Sequence, residues 1–326
     1  MDLVPTFWHW SAFLGCVLVF LALDLGVFHR TAHVVRFSEA LAWTVVWCSV
    51  AMLFAFVIAP RTVDGWGRQE TLEFITGYLV ELSLSMDNVF VIALIFTYFR
   101  IPPQYQHRVL FWGILGALIM RGVMIGAGAA LVREFMWTLY FFGVFLVFTG
   151  IKMLFASDEG VNPEQNPLLR LARKFFPVST RLDGQRFFTE LNGRRALTPL
   201  ALVLLLVEST DLIFAVDSIP AIFAITTKPF IVFTSNVFAI LGLRSLYFVL
   251  AGAIGYFRYL KVGLATVLVF IGLKMLLAPH AEPPLWWQFK ISPGLSLAVV
   301  GGILFIAIVS SLLAAWLEHS RRAKSR

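Results

Sequence analysis

Two short stretches carry acidic side chains in surroundings that are otherwise apolar. ELSLSMDN places Glu81, Asp87 and Asn88, and ESTDLIFAVDSIPA places Glu208, Asp211 and Asp217 ahead of Pro220. Carboxylate, amide and carbonyl oxygens are the ligands of hard dications such as Mg2+, Ca2+ and Mn2+, and carboxylates also exchange protons. A soft or borderline metal would need thiolate or imidazole, and the two cysteines and six histidines do not cluster with these acids in the sequence. The chemistry that fits is binding and exchange of a divalent cation. An ionised side chain at the centre of a bilayer costs at least ~2.5–3.5 kcal/mol, so five such carboxylates need partners or an ion pathway.

Helix geometry limits how these groups can meet. On an ideal helix Glu208 and Asp211 share a face, whereas Asp217 lies about 13 Å further along and on the opposite side. Pro220 cannot donate to the carbonyl of Val216, and its ring displaces that carbonyl. The expectation is a helix break or kink near Asp217 that frees an oxygen ligand. The first stretch has no proline; there Glu81, Ser85 and Asn88 form one stripe, and Asp87 with Ser83 another about 120° away. One stripe is placed to face an ion and the other an arginine.

The elements that carry these residues must be membrane spans. The 326 residues are 59% hydrophobic and 14% charged, with a mean hydropathy of +0.84, far from an average soluble domain. Nine stretches are long enough to cross ~30 Å of hydrocarbon as helices. They are predicted near Trp8–Phe28, Glu39–Ala59, Leu72–Phe99, Val109–Val132, Met136–Ala156, Thr198–Thr226, Phe230–Tyr256, Leu260–Ala278 and Pro293–Leu317. The first lacks a basic lead-in and a cleavage site and contains Asp24, so it reads as a retained span, with Asp24 near the interface. Cys16 and Cys48 fall inside spans and read as ordinary buried thiols. Of the 26 Lys and Arg, seventeen fall in loops on one side and five on the other, which orients the chain N-out and C-in by the positive-inside rule. The net charge of +7 follows the loops and marks no nucleic-acid face. Four basic residues, Arg121, Lys152, Arg244 and Lys274, remain within spans; the two lysines lie near span ends, where they can snorkel.

Internal similarity organises the spans. FTGIKMLFA (Phe148–Ala156) returns as FIGLKMLLA (Phe270–Ala278) at an offset of 122, Arg121 corresponds to Arg244 at 123, and SMDNVF (Ser85–Phe90) to STDLIF (Ser209–Phe214) at 124. Three blocks in one order with so little drift indicate two copies of a three-helix unit. The expected fold is an all-α membrane protein. Residues 1–71 hold two N-terminal spans, 72–156 the first repeat, 157–197 a basic cytoplasmic linker, 198–278 the second repeat, and 279–326 the ninth span and a basic tail. An odd number of spans per copy inverts the second relative to the first, a design with its substrate site near the midplane where the copies meet. In the linker, LLRLARKFF reads as a short surface helix and Asn192-Gly193 as a hairpin turn.

Glu81 followed by Asp87-Asn88, the stretch from Glu208 to Ala221, TSNVFAILGLR (Thr234–Arg244) and the F-x-G-[IL]-K-M-L repeats together resemble the TerC family. The likeness is greatest to its Alx-type bacterial inner-membrane members and covers almost the whole chain. It implies a multi-pass transporter with a LysE-superfamily-like fold, linked to manganese export and tellurium resistance, with Glu81, Asp87, Glu208, Asp211 and Asp217 as its acidic residues. A carboxylate-lined site would repel a tellurite oxyanion.

Arg121 and Arg244 read as structural partners that neutralise Asp87 and Asp211. Asn236 and Ser235 either line the pathway or bond a neighbouring helix. No H-E-x-x-H, G-x-S-x-G or phosphate-binding loop is present, so neither an enzyme nor a nucleotide-driven pump is expected. The resulting expectation is a secondary transporter in the bacterial cytoplasmic membrane. It would export Mn2+, or by the same ligand chemistry Ca2+ or Mg2+, with protons as counter-ion and no organic cofactor. The alternative is a non-transporting membrane module that binds metal or scaffolds a stress-response complex.

Overall fold

The structure is a computed structural model and describes residues 3–23, 36–155, 166–179, 181–191, 193–251, 259–279 and 286–324. Asp24, His29 and His33 lie outside the described residues. The chain is an all-α membrane protein, the outcome expected where lipid forces each span to satisfy its own backbone hydrogen bonds. The helices are α1 (Phe7–Leu23), α2 (Phe37–Thr62), α3 (Arg68–Tyr98), α4 (Pro103–Glu134), α5 (Thr138–Phe155), α6 (Pro167–Phe175), α7 (Pro199–Phe223), α8 (Pro229–Ala251), α9 (Leu260–Leu277) and α10 (Pro293–Lys324). Five of them, α4, α6, α7, α8 and α10, open on proline, which costs nothing at the first helical position because its missing N–H would be unpaired there anyway.

Among the described residues eight helices, all but α1 and α6, are long and apolar enough to span a membrane. The sequence predicts nine. The described part of α1 is apolar but only 17 residues long, about 26 Å, and its expected continuation to Phe28 lies outside the described residues. α8 is almost wholly buried, whereas α2, α5 and α10 turn broad apolar faces outward, among them Phe141, Phe148, Phe305 and Leu312. These outer faces suit lipid.

Helices α3, α4, α7 and α8 form the centre: α3 and α4 each pack against both α7 and α8. Beside them α5 and α9 lie against each other at backbone distance. A Cβ on Gly150 would sit 2.8 Å from the carbonyl oxygen of Ala265, and one on Gly272 2.8 Å from that of Gly143. Numbers rise along α5 as they fall along α9 in these contacts, so the pair is antiparallel. The 122-residue offset maps Gly150 onto Gly272 and Gly143 onto Ala265, so it exchanges the two contacts. The wider packing is exchanged in the same way: α3 with α8 becomes α7 with α4, and α5 with α7 becomes α9 with α3.

The expected break is absent: the chain stays helical through Pro220 to Phe223. The proline falls in the last turn of α7, where its missing N–H leaves the Val216 carbonyl without its usual donor. The irregular span is α2, which carries a π-helical segment at Phe54–Ile58. There Phe54 packs among Phe13, Trp66, Phe74, Phe230 and Phe238.

The described part of the linker holds the helix and the hairpin read from the sequence. α6 covers the basic stretch, and β1 (Phe188–Leu191) pairs antiparallel with β2 (Arg194–Leu197). Gly193 adopts φ +73 in the tight turn between them, a conformation that glycine enters without strain. Leu169 of α6 and Leu197 of β2 join a core with Leu200, Leu206, Ile101 and Val109. The linker thereby closes over one end of α3, α4 and α7.

Candidate ion site

The stripe read on the first acidic helix exists. Glu81, Ser85 and Asn88 are all buried on the inward side of α3, and Asp87 is half-buried beside them. One turn of α7 brings Asp211 to meet them, and the group that joins the two helices is Arg121 of α4. Its guanidinium lies side-on to Asp211, with Nη2 donating to Oδ1 at 2.9 Å and Nε to Oδ2 at 3.3 Å, while Nη1 donates to Glu81 Oε1. Nη1 also stands 3.4 Å from Asn236 Oδ1 on α8 and 3.5 Å from Ser218 Oγ on α7. Arg121 and Glu81 are each 2% exposed and Asp211 7%. One positive charge and two negative ones are thus buried together, joining all four central helices.

The sequence reads Arg121 and Arg244 as partners of Asp87 and Asp211; the structure pairs Arg121 with Asp211 and adds Glu81 as its second carboxylate. Arg244 borders a separate small cavity lined by Phe20, Leu21, Trp43, Trp47 and Ser245. Ser218 was not singled out from the sequence. The only signal for it is a hydroxyl on an apolar helix next to Asp217.

Oxygen acceptors remain at the centre. Asn88 donates through Nδ2 to Asp211 Oδ1 at 3.2 Å, while its own Oδ1 and Ser85 Oγ, both buried, have no hydrogen-bond partner among the described residues. Asn88, Thr210 and Asp211 line a cavity of about 20 Å³ together with Gly113, Leu110 and Leu243. That is room for about one water-sized guest.

Of the other predicted ligands, Glu208 feels the charge of Asp211 from one turn away, and Asp217 lies elsewhere. Glu208, one turn before Asp211, presses against α4 at Gly116, where any Cβ would collide with its carboxyl. Asp217 is half-buried and lies within the electrostatic reach of Lys152. Among the described residues, no three Asp, Glu, His or Cys side chains are grouped closely enough to cage a metal. The continuous helix at Pro220 keeps Asp217 on its own side, and the Arg121 guanidinium fills the space between Glu81 and Asp211.

A second charged group ties the two halves together near the start of α3. Lys228, between α7 and α8, donates to Glu70 Oε1 at 2.6 Å and lies 3.3 Å from Glu73 Oε2, while Gln69 donates to Glu73 Oε1 at 2.9 Å. Partial burial opposes the Lys228 ammonium, but the hydrogen bond to Glu70 and the charges of Glu73 and Glu70 outweigh it and raise its pKa. Lys274, expected to snorkel to the interface, is instead buried within reach of the Glu73 charge.

Residues 66–322 match the model of the integral membrane protein TerC family. An uncharacterized membrane protein of Myxococcus xanthus is 53% identical over 304 residues, 93% of this chain and 92% of its own. A protein of Escherichia coli (strain K12) named "Putative membrane-bound redox modulator Alx" is 44% identical over 331 aligned positions, covering 100% of this chain and 99% of its own. Its Salmonella typhi namesake is 43% identical over the same span. No solved structure matches the chain. The chain belongs to the TerC family of integral membrane proteins.

Proposed function

We propose that the protein is a secondary transporter that carries a divalent cation out of the cytoplasm across the bacterial cytoplasmic membrane, in exchange for protons. Mn2+ is the first candidate, and Ca2+ and Mg2+ share its preference for oxygen ligands. The observation that carries this reading is the buried convergence of Glu81 from the first repeat and Asp211 from the second, with the unpartnered oxygens of Asn88 and Ser85 beside them. Buried charges on membrane helices mark ion pathways more often than packing, because packing alone would favour apolar residues.

Arg121 has a defined part in such a cycle. It acts as a tethered cation that satisfies Glu81 and Asp211 when no metal is between them. One guanidinium against two carboxylates leaves a net charge of −1, which a proton balances. An entering dication competes with the guanidinium for the same oxygens, so Arg121 must withdraw from at least one carboxylate for metal to bind. The exchange symmetry of the α3–α4–α5 and α7–α8–α9 contacts supports an inverted repeat, whose two halves rock about a midplane site. Asp87, Glu208 and Asp217 are then carboxylates along the path toward and away from that site.

The experiment is flux into liposomes that hold only the purified full-length protein and a manganese-sensitive dye. Transport gives metal entry that depends on a pH gradient and disappears in Glu81→Gln and Asp211→Asn, with both variants still folded. The second reading, a non-transporting metal-binding or stress-response module, draws on the absence of a three-ligand cage among the described residues and on the redox-modulator name of the relatives. Metal binding without flux would favour it and reject the transporter.

A further inference from the structure

We propose that Asn236 of α8 and Ser218 of α7 form a second seat for the Arg121 guanidinium, one that receives it when it releases Asp211 and so opens the acidic centre to an ion. This deepens the cation reading and rests on it.

The guanidinium stands between two unlike surroundings. On the linker's side lies the small cavity lined by Asn88, Gly113, Thr210, Asp211 and Leu243. On the far side, Ser218 follows Asp211 by seven residues of α7, which places it on the same face about 10 Å further along. A short loop turns the chain back into α8, so the seven residues from Asn236 to Leu243 run from the level of Ser218 to the cavity. The hydrogen bonds repeat this division. Asp211 is held by Nε and Nη2, whereas Glu81, Asn236 and Ser218 all face Nη1. A swing of Arg121 toward the neighbours of Nη1 leaves Asp211 and the cavity open and keeps Glu81 paired.

The seat is built but only loosely occupied. Asn236 and Ser218 are 0% and 2% exposed, and their oxygens stand 3.4 and 3.5 Å from Nη1, at the far limit of a hydrogen bond. Neither oxygen has another partner among the described residues. The Asn236 amide is held in one orientation, because its Nδ2 donates to the carbonyl of Val232 at 3.0 Å. Its Oδ1 is thereby fixed toward the arginine. Buried acceptors with weak bonds gain when a donor closes on them, and an approach of about 0.5 Å brings both into the ordinary range. Both acceptors are also neutral. They hold a guanidinium less tightly than a carboxylate does, so the arginine returns to Asp211 once the ion has left. Asn236 and Ser218 are positioning residues and touch no ion.

The test is the Mn2+ affinity of the purified full-length protein, read from the paramagnetic resonance of the unbound ion, together with the thermal unfolding midpoint without metal. Asn236→Leu/Ser218→Ala should weaken Mn2+ binding on the order of tenfold or more, as expected for two lost hydrogen bonds to a charged group, and leave the metal-free midpoint little changed. Ser218→Ala alone, which removes one hydroxyl, should shift the affinity the same way by less. In an Arg121→Gln background neither change should alter the affinity, since no guanidinium is left to seat. Wild-type affinity retained in both variants would overturn the seat and leave the cation reading intact. Equal weakening with and without the guanidinium would also overturn it, by showing that the two residues act on the ion themselves. A wild type that binds no Mn2+ would overturn the cation reading, and the seat with it.

Discussion

Arg121 is the residue on which the centre of the molecule depends. It meets two carboxylates, an amide and a hydroxyl from three other helices while 2% exposed. Removing one member of a buried ion pair leaves the others charged, desolvated and unmatched, a loss typically of about 3–5 kcal/mol. Arg121→Ala should therefore lower the midpoint of thermal unfolding in detergent markedly. The double variant Arg121→Ala/Asp211→Ala should lose clearly less than the sum of the two single changes, because the groups act as a unit. Strict additivity would mean that the guanidinium and Asp211 do not interact. The sequence made the residue types at this centre legible: carboxylates in apolar helices had to have partners, and the stripe of Glu81, Ser85 and Asn88 followed from helical spacing alone. Arg121 as a partner of Asp211 was legible as a deep arginine among deep acids, whereas Glu81 as its second partner was not, because spacing along one helix does not show what reaches it from another.

At the scale of elements, the α5–α9 pair gives a sharp test, since only glycine permits its backbones to touch. A methyl added at Gly272 would lie 2.8 Å from the carbonyl oxygen of Gly143 and 2.9 Å from the amide of Val147. Gly272→Ala should destabilise the folded protein by about 1–3 kcal/mol, the usual cost of overpacking. Gly301→Ala, on α10 with no atom within 4 Å of the added Cβ, should be close to neutral in the same unfolding measurement. Equal effects would mean that α5 and α9 are not in backbone contact. The spans themselves were legible, because hydropathy over some 20 residues is the strongest signal a membrane chain carries, and the hairpin was legible from Asn192-Gly193. The course of α7 was not. Pro220 read as a break, yet the helix continues to Phe223, while the π-helical segment of α2 lies beside Pro60, which cannot donate to the carbonyl of Phe56 within it.

For the whole molecule, the decisive feature is that the two repeats are joined through charge at two levels, Arg121 at the centre and Lys228 against Glu70 and Glu73 at one end. The second junction has a definite pH signature. The pKa of Lys228 is raised in the folded state above its ordinary 10.5. Its stabilising contribution is thus complete below 10.5 and is lost as pH rises through the higher folded value. Alkaline titration of the unfolding midpoint should show a steeper fall above 10.5 in the wild type than in Lys228→Met. Parallel curves would mean that the ammonium contributes nothing to holding the halves together. The overall class of molecule followed from composition, and the repeat from its three blocks. How tightly the copies close on each other was beyond any pattern of spacing.

The central claim is that Glu81 and Asp211, from opposite repeats, share a hard dication that Arg121 replaces in its absence. Crystals of the full-length protein soaked with Mn2+ and measured at the manganese absorption edge test it directly. One anomalous peak is expected between Glu81, Asn88 and Asp211, with the Arg121 guanidinium withdrawn from at least one carboxylate. Peaks confined to the surface, with Arg121 still bridging both acids at saturating metal, would contradict it.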